Sequence, residues 1–166
     1  MNMKNKFNFL GLILITFLVS CSTSEEEQIK EELTTLGSTQ IGLIDDQRIL
    51  DAESEPGNWL AHGRTYEERR FSPLTGINKE NVSELGLVWS KDMGTNRALE
   101  ATPIVVDGIM FFTSTWSRVY AVDALTGETI WKFDPKVPGE WARKACCDIV
   151  NRGVAVYNGK VYSASL

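Results

Sequence analysis

The chain has 166 residues, 43% of them hydrophobic, which suffices for a packed core of one domain and argues against wholesale disorder. Its net charge of −5 argues against a nucleic-acid-binding surface, which is normally basic. One histidine excludes sites built on several histidines, and three cysteines leave few choices for sulfur chemistry.

The first segment reads as a leader. Lys4 and Lys6 precede an almost wholly apolar run, Phe7 to Val19, too short for a comfortable membrane span. The run ends in Leu18-Val19-Ser20-Cys21, which resembles the bacterial lipoprotein box. That resemblance implies cleavage of residues 1–20, acylation of Cys21 and a mature chain held at a membrane surface outside the cytoplasm. Losing Lys4 and Lys6 with the leader takes the charge from −5 to −7. Residues 21–43 then form a tether, acidic from Ser22 to Leu33.

Residues 44–166 carry the fold. Ile41 to Ala52 (IGLIDDQRILDA) has apolar residues at helical intervals and predicts a short amphipathic helix, stopped by Glu55-Pro56-Gly57. His62 lies in the stretch that follows, and its reading is structural. Glu67, Glu68, Arg69 and Arg70 read as a solvated charged face.

Beyond Val88 the pattern becomes β-rich. Thr102 to Thr115 contains two strand-like runs around Asp107-Gly108, the signature of a type I′ hairpin whose central residues both need positive φ. Val154 to Ser165 repeats the pattern around Asn158-Gly159, 51 residues later. Val119 to Val122 and Glu128 to Phe133 predict two further strands about an Asp123–Gly127 turn. Trp89-Ser90-Lys91-Asp92 is echoed 42 residues later by Trp131-Lys132-Phe133-Asp134. Repeats of this length built of short strands point to an all-β propeller.

The stretch Ala145-Cys146-Cys147-Asp148-Ile149-Val150-Asn151-Arg152-Gly153 holds the remaining two cysteines. Adjacent α-carbons lie about 3.8 Å apart, below the roughly 4.4–6.8 Å of an unstrained disulfide, so such a pair closes only as a strained ring. It encloses almost no chain, so its use would be local, as a rigid surface or a redox switch. Two buried thiols are the other reading, and an oxidising compartment favours the disulfide.

Ala121-Val122-Asp123-Ala124-Leu125-Thr126-Gly127-Glu128-Thr129-Ile130-Trp131 resembles the A-x-D-x-x-T-G-x-x-x-W repeat of the quinoprotein alcohol dehydrogenases, eight-bladed β-propellers that carry pyrroloquinoline quinone (PQQ). The resemblance runs from about Asp45 to Leu166 and includes Gly57 to Tyr66, Arg70 to Leu74 and, as its most specific part, the cysteine stretch. It implies the N-terminal part of a longer chain, with about two blades present. It also implies a PQQ- and calcium-dependent oxidoreductase that oxidises a small alcohol in the periplasm or at the outer cell surface. Electrons would pass to a cytochrome c or a quinone.

By the same resemblance Cys146 and Cys147 form a vicinal disulfide on one face of PQQ, Arg152 binds its carboxylates and Glu100 meets the cofactor in its plane. A guanidinium suits carboxylates because it offers fixed, charge-assisted, bidentate donors. The opposing tryptophan, the calcium ligands and the base are expected beyond Leu166, so no catalytic or metal residue falls in these residues. Asp148 and Asn151 are expected to hold the loop by side-chain-to-backbone bonds. No Cys-x-x-Cys-His occurs in these residues, which leaves a haem domain open. The rival reading is a non-enzymatic propeller lipoprotein, a scaffold for outer-membrane protein assembly. The repeats and Cys21 suit it equally, whereas Glu100, Cys146, Cys147 and Arg152 do not.

Overall fold

The structure is a computed structural model that describes residues 42–145 and 147–165. The leader, the acidic tether to residue 41, the acylation site Cys21 and the cysteine Cys146 lie outside the described residues.

Helix α1 spans Asp46–Leu50, shorter than the Ile41 to Ala52 expectation. Asp45 caps it, its carboxylate accepting the Arg48 N–H at 2.8 Å. The chain then tightens into a single 3-10 turn, Ala52–Ser54. Before the helix, Gly42 stands at φ +75° and its carbonyl accepts from Gly159 N–H at 2.8 Å. The Ile44 carbonyl accepts from Asn158 N–H, also at 2.8 Å. Those carbonyls serve a neighbouring hairpin tip, so helix cannot extend back through them. Of the segment's apolar residues, Ile44, Ile49 and Ala52 are buried, whereas Leu43 and Leu50 are exposed.

Four strands follow as an antiparallel meander: β1 Ile104–Val106, β2 Ile109–Thr113, β3 Val119–Asp123 and β4 Thr129–Phe133, in the order β1-β2-β3-β4. Asp107 (φ 53°) and Gly108 (φ 78°) both take positive φ, as the turn chemistry requires. A second hairpin, β5 Ala155–Tyr157 with β6 Lys160–Tyr162, turns at Asn158 (φ 46°) and Gly159 (φ 70°). Its register, Ala155 opposite Tyr162, is that of Ile104 opposite Phe111 shifted by 51 residues. The described residues thus hold one four-stranded sheet and one hairpin, rather less than the two blades expected.

The core lies where β1, β2 and β3 meet the N-terminal segment and the second hairpin. Ile44, Ile49, Leu60, Ile104, Val106, Ile109, Phe111, Ala121 and Val156 form one buried cluster. Each fully buried aliphatic side chain contributes about 1.5–3 kcal/mol through the water it no longer orders. Strand β4 is exposed along its length.

Arg48 clasps the N-terminal segment to the first hairpin tip. Its guanidinium donates to Glu55 (2.7 and 2.8 Å) and to Asp107 (2.5 and 3.1 Å). The hydrogen bond from Arg48 holds the Glu55 carboxyl below the usual carboxylate range. Trp59 bridges Val105 antiparallel, extending the attachment along β1.

The expected tight turn at 123–127 forms, and the Asp123 carboxylate organises it. It accepts the N–H groups of Leu125 (2.9 Å) and Thr126 (2.7 Å), bonds that also lower its pKa. Gly127 at φ +73° lies under the Trp89 ring, whose Nε1–H donates to the Ala124 carbonyl at 3.2 Å. Trp131 lies in β4, whereas Trp89 lies outside any strand and covers a turn.

Candidate functional site

The site sits at the end of β1 and β2 remote from the Asp107 tip. Thr102 bridges Gly153 in a parallel sense, and its N–H donates to the Arg152 carbonyl at 3.2 Å. This short contact brings two of the sequence-predicted residues together: Arg152 Nε lies 3.5 Å from Glu100 Oε2. The Arg152 side chain is 75% exposed, so this single carboxylate contact leaves most of the guanidinium facing outward. Beside it opens a depression of about 490 Å³, lined by Ser117, Asn151, Arg152, Gly153 and Ala164 among others.

Gly153 has φ +127°, and a Cβ there would lie 2.9 Å from the Thr102 carbonyl oxygen. Only glycine permits this approach, because a side chain would meet rigid backbone in a conformation that L residues rarely adopt.

Asn151 is the hub of the loop. Its Oδ1 accepts from Thr113 Oγ1 (3.0 Å) and Gly153 N–H (3.0 Å), while its Nδ2 donates to Ser117 Oγ (3.1 Å) and the Ala164 carbonyl (2.7 Å). Thr113 ends β2, and Ala164 lies 51 residues on, just past β6. One side chain therefore ties the same end of both hairpins to the loop, through side chains as well as the expected backbone bonds.

Asp148 departs from expectation. Its carboxylate is paired with Arg97 from a distant segment instead of capping its own loop. Its backbone is left-handed (φ 75°), which costs a residue bearing a Cβ roughly 1–2 kcal/mol. Cys147, immediately before it, is exposed. The next residue, Ile149, is 1% exposed, and its carbonyl accepts the Trp116 N–H at 3.1 Å.

Arg97 and Trp116 were missed by sequence reasoning. Arg97 lies in a polar segment with no strand or helix, and its guanidinium carbon stands 5.9 Å from the centre of the Trp116 ring. Trp116 (φ 64°) and Ser117 (φ 52°) are consecutive left-handed residues in the β2–β3 connection. Nothing in local spacing announces a contact across 51 residues.

His62 is exposed, and its backbone carbonyl accepts from Trp59 Nε1 at 3.1 Å. Among the described residues no group of three or more His, Cys, Asp or Glu is arranged to hold a metal ion. Among them, too, no helix is long and apolar enough to cross a membrane.

Comparison with known proteins gives this geometry a family. The sequence model described as "Glucose/ethanol/alcohol dehydrogenase, beta-propeller domain" matches residues 59–165. The dehydrogenase subunit of the quinone alcohol dehydrogenase of Komagataeibacter europaeus is 54% identical over 116 residues, covering 70% of this chain and 16% of that protein. Among solved structures, the quinohemoprotein alcohol dehydrogenase ADHIIG of Pseudomonas putida HK5 superposes with a TM-score of 0.74 at 53% identity, covering 76% of this chain and 18% of that one. The Comamonas testosteroni quinohemoprotein alcohol dehydrogenase gives a TM-score of 0.75 at 40% identity, covering 81% of this chain and 20% of that one. The chain thus spans between a sixth and a fifth of the length of these relatives.

Proposed function

This chain belongs to the glucose/ethanol/alcohol dehydrogenase β-propeller family of quinoproteins, and on that premise we propose that it is the N-terminal part of a PQQ- and calcium-dependent alcohol dehydrogenase. The whole protein, an eight-bladed propeller on this reading, oxidises a small alcohol and passes electrons to a cytochrome c or a quinone. Cys21 carries the lipid that holds it at a membrane in the periplasm or at the outer cell surface.

The observation that carries the reading is the approach of Arg152 to Glu100, with Arg152 lining an open depression and exposed Cys147 five residues before it in the same loop. The residues present fit an anionic, flat cofactor. Arg152 offers a guanidinium tethered through its own backbone carbonyl and held at one edge by a carboxylate, with its outward donors suited to bidentate carboxylate recognition. Glu100 orients that guanidinium and would help to hold the cofactor beside it. Cys146 and Cys147, joined as a vicinal disulfide, give a rigid polarisable face. PQQ, when bound, supplies the two-electron acceptor, with calcium as a Lewis acid beside it. No calcium ligand and no base is assigned among the described residues.

An assembly scaffold would need neither a carboxylate-binding arginine nor a strained ring next to it. Reconstitution of the full-length protein with PQQ and Ca²⁺, followed by dye-linked oxidation of an alcohol panel, tests the proposal. Turnover that depends on both additions is expected, and none across the panel would sink it. Intact mass of the full-length protein with and without reductant tests the disulfide, whose expected signature is a gain of two hydrogens on reduction.

A further inference from the structure

We infer that Arg97 is a positioning residue for the cofactor loop, acting through Asp148. The inference rests on the quinone-binding reading above.

Two ion pairs of opposite sense join one short segment to the loop. Arg97 meets Asp148, and three residues on Glu100 meets Arg152. Thr102 then bridges Gly153 in parallel. Residues 97–102 therefore run alongside residues 148–153 at a near-constant offset, and the alternating polarity penalises a slip of about four residues in either direction, which would set like charges together.

Asp148 directly follows Cys147, so what fixes Asp148 constrains the position of exposed Cys147. Its left-handed backbone has to be held by its surroundings, and two donors do so from outside the loop. The Arg97 guanidinium takes the Asp148 carboxylate, and the Trp116 N–H takes the next carbonyl, that of Ile149. The Arg97 guanidinium also sits over the Trp116 ring, which couples the two holds. Both members of the ion pair are partly exposed, at 44% and 32%, and such pairs add little to global stability. The expected signature of the pair is therefore in cofactor affinity rather than in melting temperature.

The test is a double-mutant cycle on the full-length protein, with Arg97→Met, Asp148→Asn and the double variant. PQQ binding is followed by fluorescence quenching in the presence of Ca²⁺. Methionine keeps an apolar stem over Trp116 while deleting the charge. Arg97→Met is expected to raise the PQQ dissociation constant about tenfold, Asp148→Asn similarly, and the double variant no further. The melting temperature of the PQQ-free protein should stay close to wild type. Arg97→Lys, which retains the charge, should recover part of the loss. Wild-type affinity in Arg97→Met, or losses that simply multiply in the double variant, would overturn the inference. Wild-type protein that binds no PQQ is a different result: it removes the quinone-binding reading itself, and this role for Arg97 with it.

Discussion

Replacing Gly153 by alanine tests how the site is built. The new Cβ would stand 2.9 Å from the Thr102 carbonyl oxygen and 3.6 Å from the Thr102 nitrogen, at φ +127°. Neither neighbour is a flexible side-chain end that could swing away. Forcing a non-glycine residue into such a conformation costs about 1–3 kcal/mol. Relief requires the two backbones to part, which sacrifices the Thr102 N–H bond to the Arg152 carbonyl, worth about 1 kcal/mol net. The sum is about 2–4 kcal/mol, concentrated where Glu100 and Arg152 face one another.

Hydrogen exchange at the Thr102 amide reads that local free energy directly. Full-length Gly153→Ala should lose at least roughly thirtyfold protection there, since each 1.4 kcal/mol is a factor of ten. PQQ affinity should fall in parallel, because Arg152 moves with its carbonyl. Gly57→Ala is the matched control, as a Cβ there meets nothing within 4 Å. Unchanged protection at Thr102 in Gly153→Ala would refute the view that this bridge sets the position of Arg152.

Two further perturbations probe the scaffold. Gly127→Ala would place a Cβ 2.5 Å from Trp89 Cε3 at φ +73°, displacing the ring and its bond to Ala124. The urea midpoint of the full-length protein should drop by the equivalent of about 2–3 kcal/mol, whereas Gly86→Ala, with open space around it, should not move it. Glu55, held below its ordinary value of 4.5 by Arg48, contributes stability that is complete above that pH and disappears as pH falls through the lowered value. Melting curves taken from about pH 7 to about pH 3 should therefore fall less steeply for Glu55→Gln than for wild type at the acid end. Parallel curves would mean that the Arg48 clasp carries no acid sensitivity.

What could be read from the sequence, and what could not, divides along a physical line. Asp107-Gly108 and Asn158-Gly159 announce their hairpins because the turn requires positive φ at adjacent residues and few residue types supply it. The helix was over-extended because periodicity records which face is apolar, not where carbonyls are used. Gly42 and Ile44 keep the apolar face but give their carbonyls to the second hairpin tip. Glu100 and Arg152 were singled out by resemblance to a family, since an exposed arginine and a carboxylate 52 residues apart carry no local mark of being neighbours. Asp148 was misassigned for the same reason: aspartate in a loop usually caps its own backbone, and its distant partner Arg97 lies in a segment without periodic pattern.

The repeat nevertheless held more information about the site than its use as a fold signature drew out. Aligning Gly108 with Gly159 sets the two hairpins in one register, 51 residues apart. The same offset separates Arg97 from Asp148 and Thr102 from Gly153, and Glu100 lies one residue off it from Arg152. Residues that are equivalent in sequence are thus direct neighbours in space at the lead-in to each hairpin. That follows if consecutive repeats lie side by side with their lead-in segments parallel, so that the offset between copies is also the offset between touching residues. On that geometry the Arg97–Asp148 pair comes from one position varied between copies, arginine in the first at 97 and aspartate in the second at 148. Identical residues there would repel or leave a gap. The 148–153 loop is therefore placed where two copies of one pattern meet and differ, and the informative positions in such a seam are the mismatches of the alignment rather than its matches.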